Sequence, residues 1–468
     1  VDRLAGQLKR RLAEGGGEAV YLIGVSNDGR PLGLPDEELL RALGVLREMA
    51  RRVGASFYIL RVSDGIRGKV AEVLLRIATR EEPPPTVTVV AMGNVDAGKS
   101  TLVGVLTTGR LDDGNGLARS YASRYKHEVL AGRTSAVSLR LLGFSGDKVV
   151  NHGLVDPLDE AEVYRSSDKL VLLVDVGGHE RYLRTALRGL FSSQPDYVML
   201  VVAANSGVQK MTKEHLGIAV ALGVPVFVVV TRIDIAPEEV FRRTVDEVVK
   251  ILKMPGVSKI PYVVKDVSDV VLAAKAMPAG RVAPVFYVSS VTGHGLDLLL
   301  KFLSLLPRRR RWDLNGEPLM YVSEIYLVKG VGVVVGGLIE RGVLHLGDRI
   351  WVGPYSDGRW AQATVKSIHL NRTPVEKARA GSFVTIALDR VDKIEKGMAI
   401  STRPLKAVRE ITAEVLVLRH PTIIRPGFSG VFHYKAVRTG GFIKEIDRGE
   451  LMVGDSGVVK IELSRPWH

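Results

Sequence analysis

The chain has 468 residues, too many for one hydrophobic core, and its 46% hydrophobic and 25% charged residues are typical of a globular protein with several domains. It contains no cysteine, which excludes disulfide bonds and thiolate metal sites. The formal net charge of +14 favours a polyanionic partner, with RNA as the first candidate, although a solvated basic surface would give the same charge.

Hydropathy along the chain shows no segment that could cross a membrane. The longest apolar runs, such as residues 198–204, have the length of a strand, far short of the about 20 residues that a bilayer requires. The first residues also lack the apolar core of a signal peptide. We therefore expect a cytoplasmic protein with no membrane partner.

Residues 1–82 are predicted to form a small α/β module. The predicted elements are strands at residues 19–25 and 56–62, a helix that begins at Asp36 and a second helix at residues 69–79. No catalytic constellation occurs in this module. The following Pro83-Pro84-Pro85 run predicts a stiff spacer.

Residues 86–307 alternate between predicted strands and helices. The strands are residues 87–91, 170–174, 197–203, 226–231 and 285–289. They are nearly continuous apolar runs, as expected for strands that are buried on both faces. The pattern predicts a parallel sheet with helical crossovers, one of them the helix at residues 237–254.

Four consecutive arginines, Arg308-Arg309-Arg310-Arg311, mark a boundary where the pattern changes. Short strands interrupted by glycine and aspartate then predict an antiparallel β-barrel over residues 313–405. Residues 406–468 are a second β-rich stretch.

Residues 93–100 fit the pattern G-x-x-x-x-G-K-S between a predicted strand and a predicted helix. In this context backbone N–H groups close around phosphates, Lys99 reaches the β and γ phosphates, and the Ser100 hydroxyl binds Mg²⁺. A chance glycine-rich turn is the alternative. The predicted nucleotide-binding residues here are Gly93, Asn94, Val95, Asp96, Ala97, Gly98, Lys99, Ser100 and Thr101.

Three further strand ends carry polar motifs. Asp175, at the end of one strand, is expected to hold the Mg²⁺ hydration shell, and the N–H of Gly178 to contact the γ-phosphate. The Thr231-Arg232-Ile233-Asp234 run is predicted to bind guanine, with Asp234 accepting from the base and the Arg232 stem beside it. Ser289-Ser290 is expected to contact the guanine O6 edge. Each motif alone could be a polar turn, but their order favours a single nucleotide site, because the carboxyl ends of parallel strands meet at one edge.

These motifs, followed by two β-domains, resemble the translational GTPases related to elongation factor Tu, and most of all the branch of GTP-binding proteins one and two, as an archaeal-type homologue. The other residues that carry the resemblance are Tyr21-Leu22-Ile23-Gly24, Lys126-His127-Glu128, Gly132-Arg133-Thr134-Ser135, Met211-Thr212-Lys213-Glu214-His215 and Val365-Lys366-Ser367-Ile368. The resemblance implies an α/β P-loop G domain with a small N-terminal α/β module and two C-terminal β-barrel domains, the second of which ends at His468 before its final strands.

The family also implies roles for individual residues. Thr134 would complete the coordination of Mg²⁺, His179 would orient the attacking water, and Lys99 would assist hydrolysis. Asp96 stands where several members hold a monovalent cation, K⁺ or Na⁺. The implied ligands are GTP, GDP and Mg²⁺, and the implied partners of a monomeric protein are the ribosome and tRNA or another RNA.

Three positions depart from the family pattern. Thr231 and Arg232 replace Asn and Lys, which predicts a lower affinity for guanine. Gly177 replaces a proline and predicts a more mobile loop. Arg133 replaces an apolar residue beside the expected path of His179.

Two other functions are also compatible with the sequence: a switch that acts on a protein partner, and the GTPase subunit of a sulfate-activating enzyme. Delivery of tRNA, rescue of ribosomes and RNA turnover are equally compatible with the sequence, and the ligand of the N-terminal module is not indicated. Because no arginine lies in the P-loop or next to Gly178, intrinsic hydrolysis is expected to be slow. Arg119, Arg124, Lys126 and Arg133 are instead predicted to contact RNA in the GTP state.

Overall fold

The structure is a computed structural model that describes residues 2–77, 83–123, 137–179, 187, 190–389, 391, 393–417 and 422–468. Contacts divide the chain into two compact units. The first contains the N-terminal module and the G domain, and the second is built mainly from Trp312–His468.

The N-terminal module is a three-stranded antiparallel sheet with two helices. Its elements are α1 (Asp2–Glu14), β1 (Glu18–Ile23), α2 (Asp36–Arg52), β2 (Ala55–Asp64) and β3 (Lys69–Ile77), with the strand order β1-β3-β2. Leu39, Leu43 and Leu46 of α2 pack in one core with Val73 and Leu75 of β3. The predicted helix that begins at Asp36 is confirmed as α2, and the two predicted strands are confirmed as β1 and β2.

The helix predicted at residues 69–79 is wrong, because Lys69–Ile77 form the central strand β3. This strand pairs with both β1 and β2, so its backbone groups are satisfied on either side. Val73 and Leu75 face the helices, while Val70 and Leu74 on the opposite face are also buried. Burial of both faces removes the alternation by which a strand is recognised in a sequence.

The G domain is built on an eight-stranded sheet with the order β10-β11-β9-β8-β4-β7-β5-β6. Its strands are β4 (Thr86–Gly93), β5 (Ser138–Ser145), β6 (Lys148–Val149), β7 (Lys169–Asp175), β8 (Tyr197–Ala203), β9 (Val226–Thr231), β10 (Ile260–Val263) and β11 (Val282–Tyr287). Its helices are α3 (Lys99–Thr108), α4 (Leu117–Ala122), α5 (Glu160–Ser166), α6 (Lys210–Ala221), α7 (Glu238–Lys253), α8 (Val267–Ala276) and α9 (Leu296–Leu305).

The five predicted strands of this domain and the helix at residues 237–254 are confirmed, with shifts of a few residues at their ends. The sheet is not wholly parallel, however. β5 runs antiparallel to β7 and continues through a tight turn into β6, so a hairpin forms this edge. The carboxyl ends of the parallel strands still lie side by side, and the predicted motifs follow these strand ends.

A buried network of charges joins the N-terminal module to the G domain. The Arg76 guanidinium of β3 donates to Glu18 at 2.8 Å, to Asp168 at 2.9 Å and to the carbonyl of Ser304 at 2.8 Å. The Lys169 ammonium donates to both Glu18 oxygens, at 2.9 and 3.0 Å. All four charged side chains are buried. Burial would raise the pKa of Glu18, but the charges of Lys169 and Arg76 lower it, so this carboxylate stays ionised.

The second unit begins with the predicted barrel. Its main sheet has the order β15-β20-β12-β13-β19-β16-β17, and a further pairing of β15 with β16 closes a ring of six strands. The strands are β12 (Leu319–Val328), β13 (Gly332–Arg341), β14 (Val343–His345), β15 (Arg349–Gly353), β16 (Ala361–Leu370), β17 (Thr373–Val375), β18 (Lys377–Arg379), β19 (Phe383–Leu388) and β20 (Ala399–Ser401).

The last part of the chain forms a four-stranded antiparallel sheet with the order β21-β24-β23-β22. Its strands are β21 (Val408–Leu416), β22 (Ser429–Tyr434), β23 (Val437–Ile446) and β24 (Ser456–Trp467). Over the residues described, this sheet does not close into a ring. Among all the residues that the structure describes, from the N-terminal module to the last sheet, no helix is both long and apolar enough to cross a bilayer.

Candidate nucleotide-binding site

The site is organised by the turn between β4 and α3. Gly93 ends β4 with φ 142°, and a Cβ atom there would lie 2.2 Å from the carbonyl oxygen of Val201. Only glycine therefore fits at this position. Asp96 and Gly98 also have left-handed backbones, with φ 59° and 85°. These conformations fold residues 94–98 into a compact loop in front of α3.

Lys99 and Gly178 meet at the bottom of this loop. The Lys99 ammonium donates to the carbonyls of Asn94 at 2.6 Å and Gly93 at 3.2 Å. A Cβ atom on Gly178 would lie 2.3 Å from the Lys99 nitrogen, so a side chain there would displace the ammonium. Burial lowers the pKa of Lys99 to about 8, although the carboxylate of Asp175 opposes the shift. The structure thus brings the predicted phosphate-binding lysine next to the predicted γ-phosphate contact.

Ser100 and Asp175 form the predicted magnesium pair. The Ser100 hydroxyl donates to Asp175 Oδ2 at 2.5 Å, and both side chains are buried. Hydroxyl and carboxylate oxygens are ligands that Mg²⁺ accepts, and it usually keeps several waters and phosphate oxygens as well. Among the described residues there is no group of three or more acidic or histidine side chains that could hold a metal. The pair therefore fits an ion whose remaining ligands come from a nucleotide and water.

Thr231 ties the predicted guanine motif to the phosphate loop. Its hydroxyl donates to the carbonyl of Ala97 at 2.7 Å, and the side chain is buried. Arg232 follows with a left-handed backbone, φ 58°. The Asp234 side chain is exposed to solvent. Discrimination by Asp234 therefore requires that the base itself shields the carboxylate from water.

Ser289 and Ser290 shape the loop after β11. The buried Ser289 hydroxyl accepts the N–H groups of Val291 at 3.2 Å and Thr292 at 3.0 Å. The carbonyl of Ser290 accepts the N–H of Asp112 at 2.9 Å. The loop is thereby held against the segment that follows α3.

An open cleft brings together the residues on the phosphate side of the site. It is lined by Val95, Asp96, Gly98, Lys99, Ser100, Thr101, Arg119, Gly178, His179 and Arg232. Asp234, Ser289 and Ser290 do not line this cleft. Thr134 lies outside the described residues, as do Arg124, Lys126 and Arg133.

Sequence reasoning missed Arg119 as a residue of this site. It was grouped with basic residues predicted to contact RNA, but it is half-buried and lines the cleft with Lys99. No motif marks it, because its position depends on how α4 packs against α3.

His215 supports the phosphate loop from behind. Its Nδ1 accepts the N–H of Gly93 at 2.9 Å, and the imidazole is buried. Nδ1 is therefore the unprotonated nitrogen of a neutral ring. Over the described part of the chain, Nε2 has no hydrogen-bond partner. The motif at residues 211–215 pointed to the family, but not to this contact.

The buried imidazole predicts a loss of stability in mild acid. Burial first, and the Lys99 charge second, lower the pKa of His215 from 6.5 to about 4. Between these pH values the unfolded chain binds a proton that the folded chain excludes, so stability falls as the pH drops from 6.5 towards 4. We expect a contribution of about 3 kcal/mol to the free energy of unfolding.

The variant His215→Asn tests this expectation, since it keeps an acceptor near the position of Nδ1 but does not titrate. Urea unfolding at pH 7 and pH 4 measures the pH-dependent loss in both proteins. Between pH 7 and pH 4, the free energy of unfolding of the wild type should fall by about 3 kcal/mol more than that of the variant. Equal losses would show that His215 does not carry the effect.

Comparison with known proteins places this site in a family. Residues 84–308 match the family described as the elongation factor Tu GTP binding domain, and residues 332–401 match elongation factor Tu domain 2. GTP-binding protein 1 of Xenopus laevis is 40% identical, with 98% of this chain and 71% of the relative covered. GTP-binding protein 2 of Homo sapiens is 39% identical, with 98% of this chain and 79% of the relative covered.

Among solved structures, a bacterial selenocysteine-specific elongation factor superposes with a TM-score of 0.58 at 22% identity, over 82% of this chain and 54% of the other. This likeness shows the fold, a G domain followed by β-structure. Together with the sequence matches and the P-loop geometry, it leads to one conclusion: the chain is a GTPase of the elongation factor Tu family and belongs to the branch that contains GTP-binding proteins 1 and 2.

Proposed function

We propose that this GTPase is a Mg²⁺-dependent switch that works in translation, in association with the ribosome and with tRNA or another RNA. The observation that carries the proposal is the cleft in which the phosphate loop, Gly178 and His179 come together. A cleft of this composition can couple the presence of a γ-phosphate to the loop after β7.

In the proposed site the phosphates lie over residues 93–98, with the Lys99 ammonium directed at the β and γ phosphates. Ser100 and Asp175 would hold Mg²⁺ together with Thr134. The ion, when bound, neutralises negative charge on the phosphate oxygens. The short hydrogen bond between Ser100 and Asp175 supports this assignment, since it holds a hydroxyl oxygen and a carboxylate oxygen next to each other.

The switch side of the proposed site is the loop after Asp175. The Gly178 N–H would contact the γ-phosphate, and His179 would orient the attacking water. The close approach of Gly178 to Lys99 supports the first role, and the position of His179 in the lining supports the second. Asp96, exposed in the same lining, is the proposed ligand of K⁺ or Na⁺.

The base would lie between the two loops that follow β9 and β11. In this arrangement Asp234 accepts from guanine, the Arg232 stem covers one face, and backbone groups of Ser289 and Ser290 meet the O6 edge. The bond from Thr231 to Ala97 supports the arrangement. This hydrogen bond holds the loop after β9 against the phosphate loop, although threonine stands where the family has asparagine.

Two observations support an RNA-containing partner. The chain carries a net charge of +14, which attracts a polyanion. The selenocysteine-specific elongation factor with the same fold is named for a step of translation. We therefore favour the ribosome over a lone protein partner.

Ribosomes are expected to accelerate GTP hydrolysis by about 10³-fold. The physical reason is that His179 would need an external phosphate or residue to settle beside the attacking water. Single-turnover hydrolysis, measured with and without ribosomes, gives the ratio. Lys99→Ala is the control, because loss of the phosphate contact should abolish both rates. Rapid hydrolysis that ribosomes leave unchanged would contradict the proposal.

Co-sedimentation separates the proposed function from its alternatives. With a non-hydrolysable GTP analogue the protein should pellet with ribosomes, and with GDP it should remain in the supernatant. A switch on a protein partner and a sulfate-activating subunit would remain in the supernatant in both states.

A further inference from the structure

Arg119 brings a second cation to the phosphate cleft. Its side chain lines the cleft together with Lys99, Ser100 and Gly178. Arg119 lies close enough to Lys99 that its positive charge contributes to lowering the pKa of that lysine. Two cations that face one opening favour an anion between them, and a triphosphate is the anion for which the remaining lining is built.

The helix that carries Arg119 is firmly held. Ala118 and Ala122 of α4 are fully buried, and Ser138 donates to the carbonyl of Ala122 at 2.5 Å. At Gly104 of α3, a Cβ atom would lie 1.9 Å from the carbonyl oxygen of Ala118. The two helices therefore pack in direct backbone contact, and Arg119 projects from a fixed support.

The start of α4 is also tied to the loop assigned to guanine. Asp112 accepts the N–H of Ala118 at 2.8 Å, and its own N–H donates to the carbonyl of Ser290 at 2.9 Å. A base bound by the Ser290 loop and a phosphate chain beside α3 would thus share one rigid frame with Arg119. Preorganised charge of this kind is most effective where new charge develops in a transition state.

We propose that Arg119 is a catalytic arginine supplied in cis, whose guanidinium donates hydrogen bonds to the γ-phosphoryl group and to the oxygen that bridges it to the β-phosphate. During hydrolysis the water oxygen forms a bond to the γ-phosphorus while the bond to the bridging oxygen breaks. The proton of the water passes to phosphate, and the products are GDP and inorganic phosphate. Arg119 keeps its proton throughout and stabilises the negative charge on the leaving oxygen.

This inference rests on the proposed nucleotide site, and the test separates the two. Arg119→Ala should lower the single-turnover rate of GTP hydrolysis by about 100-fold while changing GDP affinity by less than about tenfold. Arg119→Lys should lose nearly as much activity, because an ammonium group cannot make the forked contact. The complex of GDP with aluminium fluoride, which imitates the transferring phosphoryl group, should bind the wild type and not the Arg119→Ala variant.

Arg110→Ala is the matched control, since Arg110 lies in the same segment and its guanidinium stacks on the Tyr121 ring at 5.7 Å rather than lining the cleft. It should leave the rate unchanged, and added guanidinium ion should partly restore Arg119→Ala. An unchanged rate in Arg119→Ala, with hydrolysis abolished in Lys99→Ala, would overturn the inference and leave the site intact. Hydrolysis that survives Lys99→Ala would instead overturn the site. Equal losses of rate and GDP affinity would make Arg119 a binding residue and also overturn the inference.

Discussion

Replacing Asp234 with asparagine is expected to shift the preference of this GTPase from guanine to xanthine nucleotides. The carboxylate would accept from both N1–H and the 2-amino group of guanine, whereas an amide offers one acceptor and one donor. Xanthine carries a 2-oxo group, which needs that donor. We expect GDP affinity to fall by about 10³-fold. Because Asp234 is exposed, competition by water should keep the loss below that of a fully buried carboxylate.

Displacement of a fluorescent GDP derivative by unlabelled GDP or xanthosine diphosphate measures the change. Asp246→Asn is the matched control, because it makes the same substitution at an exposed position of α7. It should leave both affinities as they are in the wild type. If Asp234→Asn retains GDP and gains no affinity for xanthosine diphosphate, Asp234 does not read the base.

Replacing Arg76 with methionine is expected to lower the free energy of unfolding by about 3–5 kcal/mol. Methionine fills much of the volume but leaves the buried carboxylates of Glu18 and Asp168 without their shared guanidinium partner. It also removes the donor to the carbonyl of Ser304, so a backbone acceptor loses its bond. The pKa of Glu18 should rise, since Arg76 is one of the two charges that lower it.

Guanidinium unfolding of the two proteins gives the difference. Arg242→Met is the control, because Arg242 pairs with Glu238 on the surface of α7 and both side chains are mostly exposed. Its effect should be small, since solvent screens such pairs. The wild-type module and G domain should unfold in one transition. An Arg76→Met variant as stable as the control would mean that the network does not hold the two parts together.

The sequence alone determined the features that depend on neighbouring residues. The phosphate loop at residues 93–100 needs a glycine at each tight turn and a lysine at the helix start, and all of these lie within one short segment. The core strands, such as β8 and β9, are continuous apolar runs because helices cover both faces of the sheet. The family followed from the order of such local motifs.

Only the tertiary structure decided features that join distant parts of the chain. Arg76 meets Ser304 across 228 positions of sequence, and Lys169 meets Glu18 across 151. No local pattern reports such pairings, and the same holds for the contact of His215 with Gly93. The sequence of β3 resembles that of a helix because both faces of the strand are buried, one of them against α1 and α2. The position of Arg119 was likewise decided by packing, since two glycine- and alanine-lined helices approach closely enough to turn its side chain into the cleft.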